Sequence, residues 1–314
     1  MFRKFWTRRT VLKTIGAVGA AAAAPAVSAM PAEWTVEETP TDGDLHDVAY
    51  TSEGAYAVGN NGVVLERTQE GWRKVTDGGV TGDGRDLYGA DVTDDGDRLW
   101  FVGASGAVGE YNVRTGNIND HGSPQDNTNN FLDVAVTGQA GEANVYVADG
   151  SGIVSYSFEN GESGEWNSVG VGQGYALAGI DFYDVTSGHV INTNGNVFAT
   201  IDGTSFDKIG IADSNGSFYG VDSDGPQDVW VAASGGVVYR YDGAWTKTVL
   251  GDPTLRDIDV ADGTGYAVGE SGHVFEYAGG AWTEETTETG QNLRAVDQGD
   301  PNVSVGDSST VITD

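Results

Sequence analysis

Leu255 to Thr286 contains four short runs of alternating apolar and polar residues, each cut by turn residues. Leu255–Val260 ends at Asp262-Gly263, Tyr266–Val268 at Gly269-Glu-Ser-Gly272, and Val274–Tyr277 at Gly279-Gly280; Trp282 opens the fourth run. Alternation bounded by Gly and Asp predicts strands joined by tight hairpins. The unit is therefore a four-stranded antiparallel meander. Alone it leaves both faces wet, so it needs neighbours of its own kind.

Those neighbours lie along the rest of the chain. Seven copies align, their first strands beginning at Leu45, Leu87, Phe131, Leu177, Phe218, Leu255 and Leu293. Their turn glycines are Gly62, Gly106, Gly152, Gly195, Gly235 and Gly272, with Ser309 in the seventh place. The spacings of 44, 46, 43, 40, 37 and 37 residues suit propeller blades. Small residues recur at the third place of the first strand, as expected for a strand crowded at an axis. The fourth strand opens with Trp72, Trp166, Phe206, Trp245 or Trp282, and Ile118 stands in for the aromatic in the second copy. These rings are expected to pack between blades.

The seventh copy has no aromatic fourth strand before Asp314. Glu33-Trp34-Thr35-Val36-Glu37-Glu38-Thr39, ahead of the first copy, is similar to Ala281-Trp282-Thr283-Glu284-Glu285-Thr286. The N-terminal strand is therefore expected to complete the last blade and remove an open edge. The fold class is all-β: a seven-bladed β-propeller of four-stranded antiparallel blades, closed by that strand, over residues 30–314.

Residues 1–29 read as a signal peptide. Thr7-Arg8-Arg9-Thr10-Val11-Leu12-Lys13 resembles the twin-arginine signal, with Val11 where Phe is usual. The apolar run Ile15 to Ala24 and the small-x-small pattern Val27-Ser28-Ala29 follow. Cleavage is expected after Ala29; if retained, the segment is an N-terminal anchor. The run is short and rich in Ala and Gly for a membrane span.

Charge narrows the partners. Beyond the basic first 31 residues there are 47 acids against 11 bases, a net of −36. Phosphate binding needs clustered cations, so nucleic acid and anionic lipid are poor partners. The acids run along the whole length, which resembles secreted proteins of salt-loving archaea. Molar salt, with a Debye length of roughly 3 Å, would screen such self-repulsion. Cysteine is absent, so disulfides and thiolate metal sites are excluded.

The unit Leu-x-Asp-Val, Tyr-Ala-Val-Gly-x-x-Gly-x-Val, Gly-x-Trp resembles the photosystem II assembly-factor-like propellers and the wider BNR/YVTN/WD40-like class, over residues 33–314. The resemblance implies the fold; only the repeat matches, so the assembly role is not carried over. Thr200-Ile201-Asp202-Gly203-Thr204-Ser205-Phe206 and Asp242-Gly243-Ala244-Trp245 are similar to eroded Asp-boxes, a turn device of the related BNR repeats.

No nucleophile motif, haem or redox-cofactor motif is present, so no catalytic residue, metal or cofactor is assigned. His46, His121, His189 and His273 lie in different copies and are expected at the surface or in turns. Asp94-Asp95-Gly96-Asp97 and Thr41-Asp42-Gly43-Asp44 could suggest calcium, but neither has EF-hand spacing, and Asp-Gly serves hairpin turns. Asn215 and Asn302 are candidate glycosylation acceptors.

One constellation stands apart. The second place of the first strand holds His46, Tyr88, Leu132, Ala178, Tyr219, Arg256 and Arg294. The family's geometry implies that this strand starts at one rim of the central channel, where blades six, seven and one are adjacent. His46, Tyr88, Tyr219, Arg256 and Arg294 form a candidate binding rim for an anionic ligand or partner. The opposing expectation is that the arginines pair with Glu270 and Asp307, or with Asp257 and Asp297. The functional expectation is an exported, non-catalytic, monomeric scaffold at the cell surface that binds an unidentified protein partner. The alternative is a sialidase-like or other glycan-acting or glycan-binding propeller; a third reading is a passive surface-layer component.

Overall fold

The computed structural model describes residues 34–314 except 212, 213 and 215. Among them are seven four-stranded antiparallel sheets. Six are one sequence repeat each, and the seventh joins the last repeat to the strand ahead of the first. In blade 1 the strands are Leu45–Thr51, Gly54–Gly59, Val63–Thr68 and Gly71–Asp77, paired in chain order. The innermost strands of blades 2 to 7 are Leu87–Val92, Phe131–Thr137, Leu177–Asp184, Phe218–Gly225, Leu255–Ala261 and Leu293–Asp297. Every one begins at the residue expected from the sequence. Each inner strand packs against the next, and the seventh against the first, so the ring closes.

Closure follows the expected route. Thr35–Glu37 is the outermost strand of blade 7, antiparallel to Val311–Thr313 with Val36 opposite Ile312. Trp34 ahead of it is fully buried, against Tyr266 and Val268 of blade 6 and Leu293 and Ile312 of blade 7. Glu37 then ties the closing strand to blade 1. Its carboxylate accepts from Arg67 Nη2 at 2.7 Å, Trp72 Nε1 at 2.7 Å and Thr313 Oγ1 at 3.1 Å. Burial alone would raise the Glu37 carboxyl; these donors and the Arg67 charge outweigh it and hold the group below its ordinary value.

The core lies between blades rather than within them. Seven buried apolar clusters each draw on two adjacent blades, and each includes the aromatic, or Ile118, near the start of a fourth strand. The expected inter-blade packing of Trp72, Trp166, Phe206, Trp245 and Trp282 is what the structure shows. In blade 4 the fourth strand is only Asp207–Lys208, starting one residue after Phe206. The turn after each second strand needs a left-handed residue, which favours glycine; Gly272 has φ +77° and Ser309, in the corresponding place, has φ 60°.

Candidate functional site

All seven inner strands carry the same irregularity. Pairing with the second strand skips one residue between the first and third places, as between Leu45 and Asp47 or between Leu293 and Ala295. The skipped residue is the second place. A bulge leaves its extra residue outside the ladder and re-aims its side chain. Here the bulged residues are His46, Tyr88, Leu132, Ala178, Tyr219, Arg256 and Arg294, all lining one cavity of about 830 Å³ centred on the channel. The space after the bulge is tight. A Cβ on Gly220 would come within 2.6 Å of the Asp257 Cα in the next blade, which is why this place holds glycine in blade 5.

The five expected rim residues are thus brought together on five consecutive blades. The Arg256 guanidinium lies 4.7 Å from the Tyr219 ring centroid and donates to Glu270 Oε1 at 2.6 Å. Arg294 bridges Asp307 of its own blade and Asp44 Oδ2 of the chain entering blade 1, the latter at 3.2 Å. His46 Nε2 is 2.7 Å from Asn60 Oδ1, and its ring meets Tyr88 edge-on at 5.3 Å. Burial, with the Arg294 charge nearby, holds His46 below the ordinary imidazole value despite the Asn60 contact. Burial would raise Asp307, but hydrogen bonds from Asn292 and Arg294 outweigh it and hold the carboxyl down. The arginines therefore do pair with Glu270 and Asp307. Each guanidinium has five N–H donors, so these partners orient it and leave donors for a second acceptor.

Sequence reasoning missed a second constellation. At every blade junction an inner-strand aspartate accepts from a backbone N–H of the next inner strand. The pairs are Asp47 to Ala90, Asp91 to Val136, Asp133 to Ile180, Asp181 to Ser223, Asp222 to Val260, Asp257 to Val296 and Asp297 to Tyr50, at 2.6–3.2 Å. Asp259 adds a second bond to Gln298 at the junction of blades 6 and 7. The signal was visible: every first strand has Asp at its third or fifth place. Such an acceptor contributes about 1.5–3 kcal/mol where it is ionised and about 0.5–1.5 kcal/mol where it is protonated. The carboxylates also repel across the channel. Burial, then Asp133 and Asp257, hold Asp47 well above the ordinary carboxyl range; burial and the charges of Asp257 and Asp91 push Asp133 up to about 8.

The cavity's other end differs in sign. It is lined by Glu53, Asp94, Asp95, Asp224 and Asp300, with Arg114 as the cation. Asp95 accepts from Thr93 Oγ1 at 2.6 Å and from the backbone of Asp97 and Ala140, so it organises its own turn. Asp44, in the other acidic loop, is engaged with Arg294 and with the Ser308 N–H. Among the described residues no group of His, Asp and Glu is arranged to hold a metal. The Asn302 amide nitrogen donates to Tyr266 of blade 6 and to Asp314, and a glycan there would replace one of the two N–H donors these bonds use. Arg8, Arg9, Asn215 and the signal segment 1–29 lie outside the described residues.

Two histidines depart from the surface or turn expectation. His189 is buried in the strand Ser187–Asn192, with Nδ1 2.7 Å from Ser223 Oγ of the next blade. Burial lowers its value to about 4, so it is a neutral strut and a poor base. His121 is wedged between Trp100 and two acceptors, Glu110 Oε2 at 3.2 Å and the Gly161 carbonyl at 3.0 Å. Each was drawn inward because it supplies a polar tie between blades whose apolar packing surrounds it.

No protein-family model matches the chain, and no match was found among curated protein sequences. Solved structures do match. YCF48 bound to a D1 peptide aligns at a TM-score of 0.70 with 12% identity, over 92% of this chain and 96% of that one. The likeness is one of fold: this is a seven-bladed β-propeller. The WD40 propeller domain of Doa1 aligns at 0.69 with 13% identity, over 88% and 94% of the two chains. A streptogramin B lyase aligns at 0.73 with 10% identity, over 87% and 94%. A peptide-bound propeller and an enzyme thus share this architecture, and identity this low transfers no activity. Among the described residues no helix is long and apolar enough to cross a membrane.

Proposed function

We propose that this propeller is a non-catalytic scaffold that holds an acidic segment of a partner protein on the rim formed by His46, Tyr88, Tyr219, Arg256 and Arg294. One observation carries the reading. A bulge in every inner strand displays the second residue at the rim, and five adjacent blades fill that place with cationic or aromatic side chains. Two of the 11 basic residues beyond the N-terminal segment stand here side by side. Stacking on Tyr219 and pairing with Glu270 and Asp307 fix the guanidinium planes before a ligand arrives, which lowers the ordering cost of binding. That a propeller neighbour holds a peptide is in keeping with this use of the fold.

Export is the second part of the proposal. It rests on the twin-arginine pattern Thr7 to Lys13, and adaptation to molar salt rests on the net charge of −36 beyond it. The protein would then act outside the cytoplasm or at the cell surface. The competing reading is a glycan-acting propeller, and a glycan array with a hydrolase screen separates the two.

A displayed peptide library panned at molar salt tests the scaffold reading. The wild-type chain is expected to enrich acidic peptides, and Arg256→Ala with Arg294→Ala to lose them by about tenfold or more, as removal of two charge-assisted contacts requires. Equal enrichment by both proteins, or turnover of any glycoside, would overturn it.

A further inference from the structure

Blades 3 and 4 carry little at the rim, where Leu132 and Ala178 stand, but their opposite face is unusual. Of the six large apolar side chains that are exposed among the described residues, three gather there: Phe158 at 41%, Val185 at 54% and Ile201 at 80%. All sit at or beside the turns that join first to second, or third to fourth, strands. They are connected through buried Tyr146. Its hydroxyl donates to the Val185 carbonyl at 3.1 Å, its ring stacks on Phe182 at 3.9 Å, and Phe158 lies 6.0 Å away. Thr137 and Asn144 donate to the same carbonyl at 2.9 and 3.1 Å, and Thr186 Oγ1 reaches the Ile201 carbonyl at 3.1 Å. Three donors on one carbonyl fix the turn while its Val185 side chain stays in water. Exposed apolar groups that cluster in this way mark contact surfaces, whereas scattered ones do not.

The surrounding charge limits what fits. Each apolar residue is flanked by an exposed acid: Phe158 by Glu159, Val185 by Asp184, Ile201 by Asp202. None of these carboxylates has an ion-pair partner among the described residues. Between Arg114 and Arg240 the sequence holds 16 acids and a single base, Lys208. Anionic lipid would be repelled by such a fringe. A second copy would bring like charges together.

We propose that this face of blades 3 and 4 is a docking site for a segment of a second protein that presents large apolar side chains flanked by Lys or Arg. The apolar side chains supply the contact area around Tyr146, and the cations meet Glu159, Asp184 and Asp202. The site lies on the opposite side of the ring from the rim and does not depend on the rim's function. With both occupied, the propeller would bridge an acidic and a basic partner.

The test uses the full chain and a synthetic amphipathic Leu/Lys peptide, followed by fluorescence anisotropy across a salt series. Val185→Ser with Ile201→Ser leaves every charge in place and is expected to weaken binding about tenfold, the loss of two apolar contacts. Asp184→Asn with Glu159→Gln is expected to weaken it about threefold at low salt and to flatten the salt dependence. Val249→Ser, an exposed apolar residue elsewhere, should bind as wild type. Equal affinity for the serine pair and wild type would reduce the effect to general charge attraction and overturn the proposal. So would a wild-type dimer in sedimentation that the serine pair abolishes, because the occupant would then be a second copy.

Discussion

On one side of the ring, blades 5, 6, 7, 1 and 2 place Tyr219, Arg256, Arg294, His46 and Tyr88 on the channel rim; across from them, blades 3 and 4 place Leu132 and Ala178. The backbone is the same on both sides, down to the bulge that displays those residues. The polar side contains the closing blade, whose strands come from both ends of the described chain. The apolar side has its exposed features on the other face. The lesson is that the repeat fixes where a side chain is shown, and the residue placed there fixes what it can meet. Architecture and recognition are separable in this molecule, and each can be broken without the other.

The largest effect is expected at the closing blade. Deleting residues 30–40 removes its outer strand, the buried Trp34 and the Glu37 network, and leaves the Val311–Thr313 edge open. A thermal melt should show loss of cooperative folding or a large drop in Tm; an unchanged melt would contradict closure. Trp34→Ala alone should cost about 3–5 kcal/mol. Trp166→Ala, its counterpart between blades 2 and 3, should cost a similar amount, since it packs in the equivalent cluster. Only the Trp34 variant, by loosening a sheet edge, should also aggregate on heating.

A smaller effect is expected from Glu37→Ala, which strands Arg67 and Trp72 at the seam: about 2 kcal/mol by denaturant titration. The same titration on Arg256→Ala with Arg294→Ala should show little change, because those pairs are half exposed. That contrast separates the residues that hold the seam from those displayed beside it.

Much of this could be read from the sequence. Strand starts were legible because Leu or Phe recurs at the first place and Gly marks the turns; closure was legible because Trp34-Thr35 copies Trp282-Thr283. The bulge shows in the sequence only as a slip of phase, with apolar residues three apart at the first and fourth places, as Leu45 and Val48 are. The aspartate ring was partly hidden because the acid alternates between the third place, as in Asp133, and the fifth, as in Asp181. Both places reach a backbone N–H of the next blade, so either serves, and only a search across the two would have found it. The patch around Tyr146 joins Phe158 to Val185 and Ile201 across two blades, a neighbourhood that only the ring creates.

The next effects depend on pH. Asp133 has an ordinary value of 3.8 and is raised to about 8 in the fold. Its contribution is fully present below 3.8 and is lost as pH rises through about 8, because the folded state then carries a charge that burial and its neighbours disfavour. Between pH 5 and 9 the wild type should lose stability relative to Asp133→Asn, whatever the offset between the two curves; parallel curves would count against a repelling ring. On the outside of blades 2 and 3, His121 runs from a different cause. Burial opposes its charge, but Glu110 and the Gly161 carbonyl outweigh burial and raise it above 6.5. Its contribution is present below 6.5 and is lost as pH rises through the raised value. His121→Gln should remove that slope by a few tenths to about 1 kcal/mol.

The most direct test of the account is a hydrogen-exchange footprint of the propeller with an acidic peptide selected from the library. Slowed exchange is expected at the strand starts of blades 5, 6, 7, 1 and 2, around Tyr219, Arg256, Arg294, His46 and Tyr88, and none around Val185 and Ile201. Protection centred on blades 3 and 4, or on the acidic end of the channel, would contradict it.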